Sequence, residues 1–337
     1  MAWYEIPGVD QDVAISTRVR FARNVAGYPF PSRLDAPRAK ELMSKAADVL
    51  EKNGFLKVDF SDISRLMAES LVEKRYASPL FVKESLPHAL FLNEPCNLAV
   101  MVCEEDHLRI QCIQPGLSLK DAYEGAEKIE GLFDNTFELS FEERLGYLTA
   151  CPTNVGTAMR ASVMLALPML TETGRMESAA KRMESMGLLL RGTFGEGSGA
   201  FGGLYQVSNR NTPGVSEEEI LEQLTVGTTM LMDGEREARQ SRYGADPDRW
   251  IDVCHRAEGI LRHAHLLKAT ELLELSGKIR CGIALGLLPD VRMENLNRLL
   301  VEAMPATLTL STDPHPKDER GRDILRAKTV RARLFGV

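Results

Sequence analysis

Two short apolar segments within residues 97–113 most constrain the fold of this 337-residue chain. The first, LAVMVC, is continuously apolar, and the second, LRIQCI, alternates between apolar and polar residues. The charged tetrapeptide EEDH separates them. Two such runs on either side of a tight turn are typical of antiparallel strands. We therefore expect an antiparallel sheet in this part of the chain.

Helical patterns surround the predicted hairpin. One helix is predicted from about Pro37 to Lys52, and an amphipathic helix begins at Ser118. Further helices are predicted after Gly156, over about 177–186, and from Ser216, whose capping-box pattern with Glu219 opens a helix through about Leu231.

The stretch SRYGADPD at residues 241–248 has the composition of a linker. After it, helices are predicted over 248–263, 266–287, 292–302 and about 318–333. The predicted fold class is therefore α+β, with an antiparallel sheet flanked by helices over residues 1–240. An all-helical C-terminal domain is expected over residues 245–337.

Composition narrows the classes of function. The formal net charge of −7 argues against nucleic acid as the main partner, because phosphate binding favours a positive surface. No apolar run reaches the roughly 18 residues of a membrane span, and the N-terminus lacks the features of a secretory signal. The six cysteines form neither a CxxC pair nor the Cys/His spacing of a zinc site. We expect a reduced, cytoplasmic protein without a metal site of its own and without membrane or direct nucleic-acid partners.

Five arginines stand in settings that suit a phosphate-binding site: Arg18, Arg20, Arg109, Arg160 and Arg191. Arg18 and Arg20 alternate within ISTRVR, so that on a strand both point to the same face. Arg160 lies near the predicted start of a helix. If the five side chains converge, they can bind a triphosphate and stabilise a phosphoryl group during transfer. The alternative is that each arginine is a surface salt-bridge partner.

Three glutamates accompany the arginines: Glu104 and Glu105 in EEDH, and Glu196 in the glycine-rich segment. A guanidinium is protonated at neutral pH, so phosphoryl transfer to it requires a carboxylate that orients it and accepts a proton. Glu105 precedes Arg109 by four residues. Glu196 follows Arg191 by five. Each motif thus pairs a carboxylate for the acceptor with an arginine for the phosphate. The alternative for EEDH is a solvated hairpin tip.

The segment from Gly197 to Gly202 matches GxGxxG, a weak dinucleotide-binding signal because no helix clearly follows it. We interpret it as a mobile lid over the reaction. No GxxxxGK[ST] is present, and neither HRD nor DFG stands in kinase spacing. A P-loop enzyme and a eukaryotic-type protein kinase are therefore excluded.

Cys151 precedes Pro152 at a predicted turn before a helix. A helix N-terminus and neighbouring arginines there would lower the pKa of its thiol. We expect Cys151 to line the site without acting as a nucleophile. The alternative is a small buried hydrophobic residue.

Together these motifs resemble the phosphagen (guanidino) kinases, the family of creatine and arginine kinases. The matching segments, in the family's order and spacing, are STRVR at 16–20, EEDHLR at 104–109, CPTNVGTAMRASV at 151–163 and RGTFGE at 191–196. The resemblance implies ATP as the phosphoryl donor, with Mg²⁺ arriving on the nucleotide. It implies nucleotide contacts from Ser16, Arg18, Arg20, Arg109, Arg160 and Arg191. It also implies that Glu105 and Glu196 hold and deprotonate the guanidinium, with Cys151 beside it.

Two departures resemble the McsB-type bacterial protein arginine kinases. Fifteen residues precede STRVR, where phosphagen kinases have a helical domain that helps to enclose a small substrate. We therefore expect an acceptor site open to arginines in proteins. The helical C-terminal domain carries Arg322-Asp-Ile-Leu-Arg326-Ala, which is similar to that group's RDxxRA pattern. The resemblance implies that Arg322, Asp323 and Arg326 bind phosphoarginine and feed back on activity; the alternative is a helix salt-bridge ladder.

The same resemblance implies partners. It implies a homodimer, a zinc-binding McsA-type activator, and a CtsR-type repressor as a substrate. It further implies marking of proteins for the Clp protease in a stress response. Two alternatives stay open: a kinase for a small free guanidino compound, and a non-catalytic phosphoarginine-binding adaptor. A dinucleotide oxidoreductase is a more distant alternative.

Overall fold

A computed structural model describes residues 1–192 and 201–337. Its main feature is an eight-stranded sheet in which all of the neighbouring strands are antiparallel. The strands are β1 Ala14–Arg23, β2 Leu56–Asp59, β3 Ala89–Leu92, β4 Leu98–Val102, β5 Leu108–Pro115, β8 Met159–Ala166, β9 Leu188–Gly192 and β10 Leu204–Asn209. Their order across the sheet is β2-β3-β4-β5-β1-β8-β10-β9. A separate small hairpin joins β6 Phe141–Glu142 to β7 Gly146–Tyr147.

Helices cover this sheet and form the C-terminal part of the chain. Those before residue 246 are α1 Ala36–Leu50, α2 Arg65–Glu73, α3 Leu119–Gly131, α4 Pro168–Glu172, α5 Met176–Ser185 and α6 Glu217–Ala245. Those after it are α7 Pro247–His263, α8 Ala269–Ala284, α9 Met293–Glu302, α10 Pro305–Leu310 and α11 Glu319–Phe335. The predicted α+β class, the 97–113 hairpin and the helix beginning at Ser118 are confirmed.

The two faces of the sheet differ sharply in chemistry. Val19 and Phe21 on β1, Ile110 on β5, and Val163 on β8 alternate with polar residues and are buried in the main core. Helices α1, α3 and α6 pack on that apolar face. A strand places successive side chains on opposite faces, so the polar residues between them belong to the other face.

Two predictions about local structure are wrong. The helix expected after Gly156 is the strand β8, which is paired on both sides with β1 and β10. Positive φ angles at Gly156 (111°) and Ala158 (48°) interrupt any helical path. Arg160 therefore lies on a central strand. Short apolar runs do not distinguish a buried strand from a helix, and here the sheet decides.

The prediction of a linker at 241–248 is also wrong. So is the prediction that the helix before it ends near Leu231. Helix α6 continues to Ala245, and α7 begins at Pro247. Only Asp246 separates them, with its side chain accepting a hydrogen bond from Arg249 N at 3.1 Å. An Asp-Pro pair marks this sharp break because Asp caps a helix and Pro fits its first turn. Helix α10 was not expected.

The C-terminal helices pack against one end of the polar sheet face. A small mixed core contains Ile15 of β1, Met164 of β8, Leu273 of α8 and Met304. Arg280 of α8 donates a hydrogen bond to Gln11 O at 2.7 Å, just before β1. The helical part therefore forms a wall beside the strands that carry the sequence motifs.

A buried carboxylate fixes the helix that follows β8. Glu235 of α6 is fully buried, and its two oxygens accept hydrogen bonds from Met169 N and Leu170 N, both at 2.9 Å. Replacing Glu235 with Ala leaves two buried N–H groups without acceptors. We predict a loss of about 3 kcal/mol in the free energy of unfolding, measured by urea denaturation. Glu237→Ala, at an exposed site on the same helix, should change it by less than about 0.5 kcal/mol. Equal losses would contradict this role.

Glu235 should also make stability depend on pH. Burial raises its pKa to about 7, although two backbone N–H groups oppose the shift. A carboxyl whose folded pKa is raised contributes stability that is present below its unfolded pKa and is lost as pH rises through the folded value. We predict that the wild type loses stability relative to Glu235→Gln between the ordinary value of 4.5 and about 7. Parallel pH profiles of the two unfolding free energies would refute this.

Candidate functional site

One face of the sheet gathers arginines from adjacent strands. Directly opposite residues of an antiparallel pair point to the same face. Arg20 on β1 lies opposite Arg160 on β8. Arg18 is two residues from Arg20 on the same strand and face. Arg109 on β5 lies opposite Ala22, again on this face. The strands thus bring together four of the five arginines singled out in the sequence.

A second row of the same face reaches the edge strand β9. Ser16 on β1 lies opposite Met164 on β8, which lies opposite Gln206 on β10. Gln206 in turn lies opposite Arg191 on β9. Ser16 is buried, whereas Arg191 is exposed at the sheet edge. The sheet register therefore connects the STRVR segment to the start of RGTFGE.

Positive charge on this face is poorly compensated. Arg18 and Arg20 are half-buried and form no ion pair with a carboxylate in the described ranges, and Arg20 Nε is buried without a hydrogen-bond partner. Burial and three neighbouring arginines lower the pKa of Arg18 to about 9, and burial together with Arg18 lowers that of Arg20. A guanidinium stays protonated in proteins at neutral pH, so both groups are cationic. Buried charges without partners are costly, so this face is suited to an anionic ligand.

Arg75 belongs to the same face, although no sequence motif indicates it. Its Nη2 lies 2.8 Å from Met164 Sδ, and its charge contributes to the lowered pKa of Arg18. Burial lowers the pKa of Arg75 itself to about 10. It pairs with no carboxylate in the part of the chain that is described. Its position depends on tertiary contacts of the segment after α2, which leave no local pattern in the sequence.

The two adjacent glutamates of EEDH have different surroundings. Glu104 is only 3% exposed. Its carboxylate accepts hydrogen bonds from Ser78 Oγ and from Arg109 Nη1, the latter at 2.6 Å. Glu105 is half-exposed, with its Oε2 3.6 Å from Arg109 Nη2. Burial raises the pKa of Glu105 while Arg109 opposes the shift. Glu104 therefore orients Arg109, and Glu105 is the carboxylate open to an incoming group.

Buried hydrogen bonds fix the EEDH turn. Asp106 Oδ1 accepts from Asn24 Nδ2 at 2.6 Å and from Ala150 N at 2.8 Å. His107 Nδ1 accepts from Val25 N at 3.0 Å, and burial lowers the pKa of this imidazole. Asp106 and His107 are both fully buried. The alternative of a solvated hairpin tip is therefore wrong, because three of its four residues are buried.

Cys151 lies in a loop that is attached to this turn. Its neighbour Ala150 donates to Asp106, which adjoins Glu105. Cys151 Sγ lies 3.0 Å from Thr153 Oγ1, within a short 3-10 turn. The α-helix expected after Cys151 does not follow it, because the chain continues into β8. Hydrogen bonds to the Asp106 carboxylate thus fix both the turn of Glu105 and the loop of Cys151.

Two sequence predictions fall outside the described residues. Glu196 lies within 193–200, as does most of the GxGxxG match. The role of Glu196 as the second carboxylate and the role of the glycine-rich segment as a lid stay predictions.

The C-terminal motif is partly used for internal contacts. Arg326 is 2% exposed and donates to Asp323 Oδ1 at 2.6 Å, to Ala303 O at 2.8 Å and to Leu267 O at 2.9 Å. Asp323 and Arg326 therefore hold α11 against the neighbouring helices. Arg322 is half-buried on the same helix. Phosphoarginine binding by these three residues stays a prediction.

Comparisons with known proteins agree with this arrangement. Residues 38–238 match the family described as ATP:guanido phosphotransferase, C-terminal catalytic domain. Residues 248–337 match the protein-arginine kinase McsB C-terminal domain. The protein-arginine kinase of Caldanaerobacter subterraneus subsp. tengcongensis is 37% identical, over 96% of this chain and 98% of its own length. That of Symbiobacterium thermophilum is 38% identical, over 98% and 96%. The chain belongs to the protein-arginine kinase family.

Solved structures place the fold of this family member among guanidino kinases. The substrate-free duplicated taurocyamine kinase from Schistosoma mansoni has a TM-score of 0.61 and 25% identity, covering 76% of this chain. The chain spans 40% of the length of that duplicated protein. A lombricine kinase has a TM-score of 0.60 and 25% identity, covering 68% of both chains. The antiparallel sheet also differs from the parallel sheet of a dinucleotide-binding fold.

Two other features are absent from the described residues. Over residues 1–192 and 201–337, no group of three or more His, Cys, Asp or Glu side chains is arranged to hold a metal ion. In the same ranges, no helix combines the length and apolar character needed to cross a bilayer.

The arginines without a carboxylate partner should lower the stability of the free protein while they favour binding of ATP. Replacing Arg20 with Met removes a half-buried charge, so the free energy of unfolding without ligand should rise by about 1 kcal/mol. ATP should stabilise the wild type through linkage but should stabilise this variant much less. Urea denaturation with and without ATP measures both effects. The exposed Arg144→Met is the matched control and should change neither. A destabilised Arg20→Met that retains full stabilisation by ATP would contradict the assignment.

Proposed function

We propose that this protein transfers the γ-phosphoryl group of ATP to a guanidinium nitrogen of arginine in proteins. The observation that carries the proposal is a sheet face with three cationic side chains, Arg18, Arg20 and Arg75, that pair with no carboxylate among the described residues. Next to it, Glu105 is a carboxylate open to a cationic acceptor. Membership of the protein-arginine kinase family supports the same reaction.

The arginines bind the triphosphate and stabilise the charge that develops during transfer. A guanidinium nitrogen attacks the γ-phosphorus, an N–P bond forms, and the bond to the β-phosphate oxygen breaks. ADP leaves with the bonding electron pair, and Glu105 accepts the proton lost by the guanidinium. Burial raises the pKa of Glu105, which makes its carboxylate a stronger base. Glu104 keeps Arg109 directed at the phosphate.

Mg²⁺ enters as part of the substrate MgATP. Coordination by phosphate oxygens and water suits this ion, which loses its hydration shell reluctantly. Glu196 is proposed as the second carboxylate that holds the acceptor, on the basis of its place in RGTFGE.

The wider role is proposed from the family. Substrates are proteins with accessible arginines, among them a CtsR-type repressor, and the modification marks proteins for the Clp protease during stress. We also propose that the protein forms a homodimer and works with a McsA-type activator. Phosphoarginine is proposed to act on activity through Arg322, with Asp323 and Arg326 holding its helix. The six free cysteines support a cytoplasmic location.

Replacing Glu105 with Gln removes the proton acceptor but preserves the shape of the side chain. We predict a fall in kcat of about 100-fold or more, with ATP affinity little changed. Glu143→Gln, at an exposed site, is the control and should retain full activity. Full activity of Glu105→Gln would rule out Glu105 as the base.

The reaction itself can be tested with MgATP and an unfolded basic protein. Mass spectrometry under conditions that preserve N–P bonds should find phosphate on arginine. Rapid phosphorylation of free arginine, with none on protein, would indicate a small-substrate kinase instead. Binding of phosphoarginine without ATP consumption would indicate an adaptor.

A further inference from the structure

The last residue of α2 contacts the C-terminal helices. Glu73 Oε1 accepts a hydrogen bond from Ala306 N at 2.9 Å, and Oε2 accepts one from Thr307 N at 2.7 Å. Both donors belong to the first turn of α10. Ser70, one turn earlier, lies 3.1 Å from Thr307 through the two hydroxyl oxygens. These contacts attach the C-terminal end of α2 to the helical domain.

The location of Glu73 is favourable for α10 rather than for α2. A negative charge at the C-terminal end of its own helix opposes the helix dipole, whereas at the first turn of another helix it satisfies free N–H groups. Its bonds to α10 therefore offset the unfavourable position on α2. Glu69, one turn earlier on α2, instead forms an exposed pair with Arg65 at 2.8 Å.

The residues directly after Glu73 enter the cationic face. Lys74 O accepts a hydrogen bond from Trp3 Nε1 at 3.2 Å, and Arg75 O accepts one from Gln111 Nε2 at 2.9 Å. Arg75 has a φ of +67°, a conformation that a non-glycine residue adopts only when its surroundings enforce it. Only two peptide bonds separate the Glu73 anchor from Arg75. We therefore expect a shift of the anchor to move Arg75 relative to Met164 and Arg18.

Helix α10 is in turn fixed by the rest of the helical domain. Arg326 of α11 donates to Ala303 O at 2.8 Å, immediately before α10. Val301 of α9 packs in the same apolar cluster as Tyr76, the residue after Arg75. A continuous set of contacts thus leads from α11 through α10 and Glu73 to the arginines.

We propose that Glu73 is a positioning residue through which the C-terminal helical domain sets the place of Arg75 in the nucleotide site. This inference rests on the proposed function, because it assigns the Arg75 face to ATP. Glu73 itself does not touch the nucleotide. Its contribution passes through Arg75, so the two residues form one energetic unit.

The test is a double-mutant cycle on the full chain, read by direct ATP binding in isothermal titration calorimetry. Glu73→Ala should raise the ATP Kd by about tenfold, a typical coupling between connected sites. Arg75→Ala should raise it at least as much. Adding Glu73→Ala to Arg75→Ala should then change the Kd less than twofold, because the path to the nucleotide is already broken. Glu69→Ala on the same helix is the matched control and should bind ATP like the wild type.

Glu73→Gln keeps one acceptor oxygen and should raise the Kd by less than Glu73→Ala, which covers the case in which the alanine variant folds poorly. Additive effects of Glu73 and Arg75, or an unchanged Kd in both Glu73 variants, would overturn the inference. Failure of the wild type to bind ATP would instead overturn the proposed function. KM for ATP should rise in Glu73→Gln while kcat stays within about twofold of the wild type. A loss confined to kcat would contradict a positioning role.

Discussion

Unpaired positive charge on a sheet face is the constraint on which the rest of the structure depends. Arg18 lies near both Arg20 and Arg75 although like charges repel, and no carboxylate pairs with these three arginines in the described residues. A fold keeps such an arrangement only if the surrounding packing stabilises it. The apolar face of the same strands, packed on α1, α3 and α6, supplies that stability. In the proposed function, the phosphates of ATP compensate this positive charge.

Buried polar contacts fix the position of Glu105 and Cys151 relative to this charged face. Asn24 joins the end of β1 to Asp106, and Asp106 joins the EEDH turn to the loop of Cys151. The turn is therefore rigid, with Glu105 left open beside Arg109. The helical domain adds a second support from the other side, through Glu73. In the proposed reaction, separate parts of the fold that meet at one sheet face position the phosphate and the acceptor.

The sequence predicted the charged motifs better than the path of the chain between them. Alternation is a local signal: it predicts the strand of Arg109 in LRIQCI, and the strand on which Arg18 and Arg20 would share a face is present as β1. For Arg160 the sequence predicts a helix where the structure has β8, because the mostly apolar run of this strand does not distinguish a buried strand from a helix. No local sequence pattern indicates Arg75 or Glu73, because only long-range contacts bring them to the site. Burial of the EEDH turn depended likewise on Asn24, about 80 residues away in sequence.

A crystal structure of the protein with a non-hydrolysable MgATP analogue would test the central claim most directly. The account predicts that phosphate oxygens lie within hydrogen-bond distance of the guanidinium groups of Arg18 and Arg20, with the γ-phosphate on the side of Glu105. Phosphates bound elsewhere, with these arginines turned to acidic side chains, would contradict it.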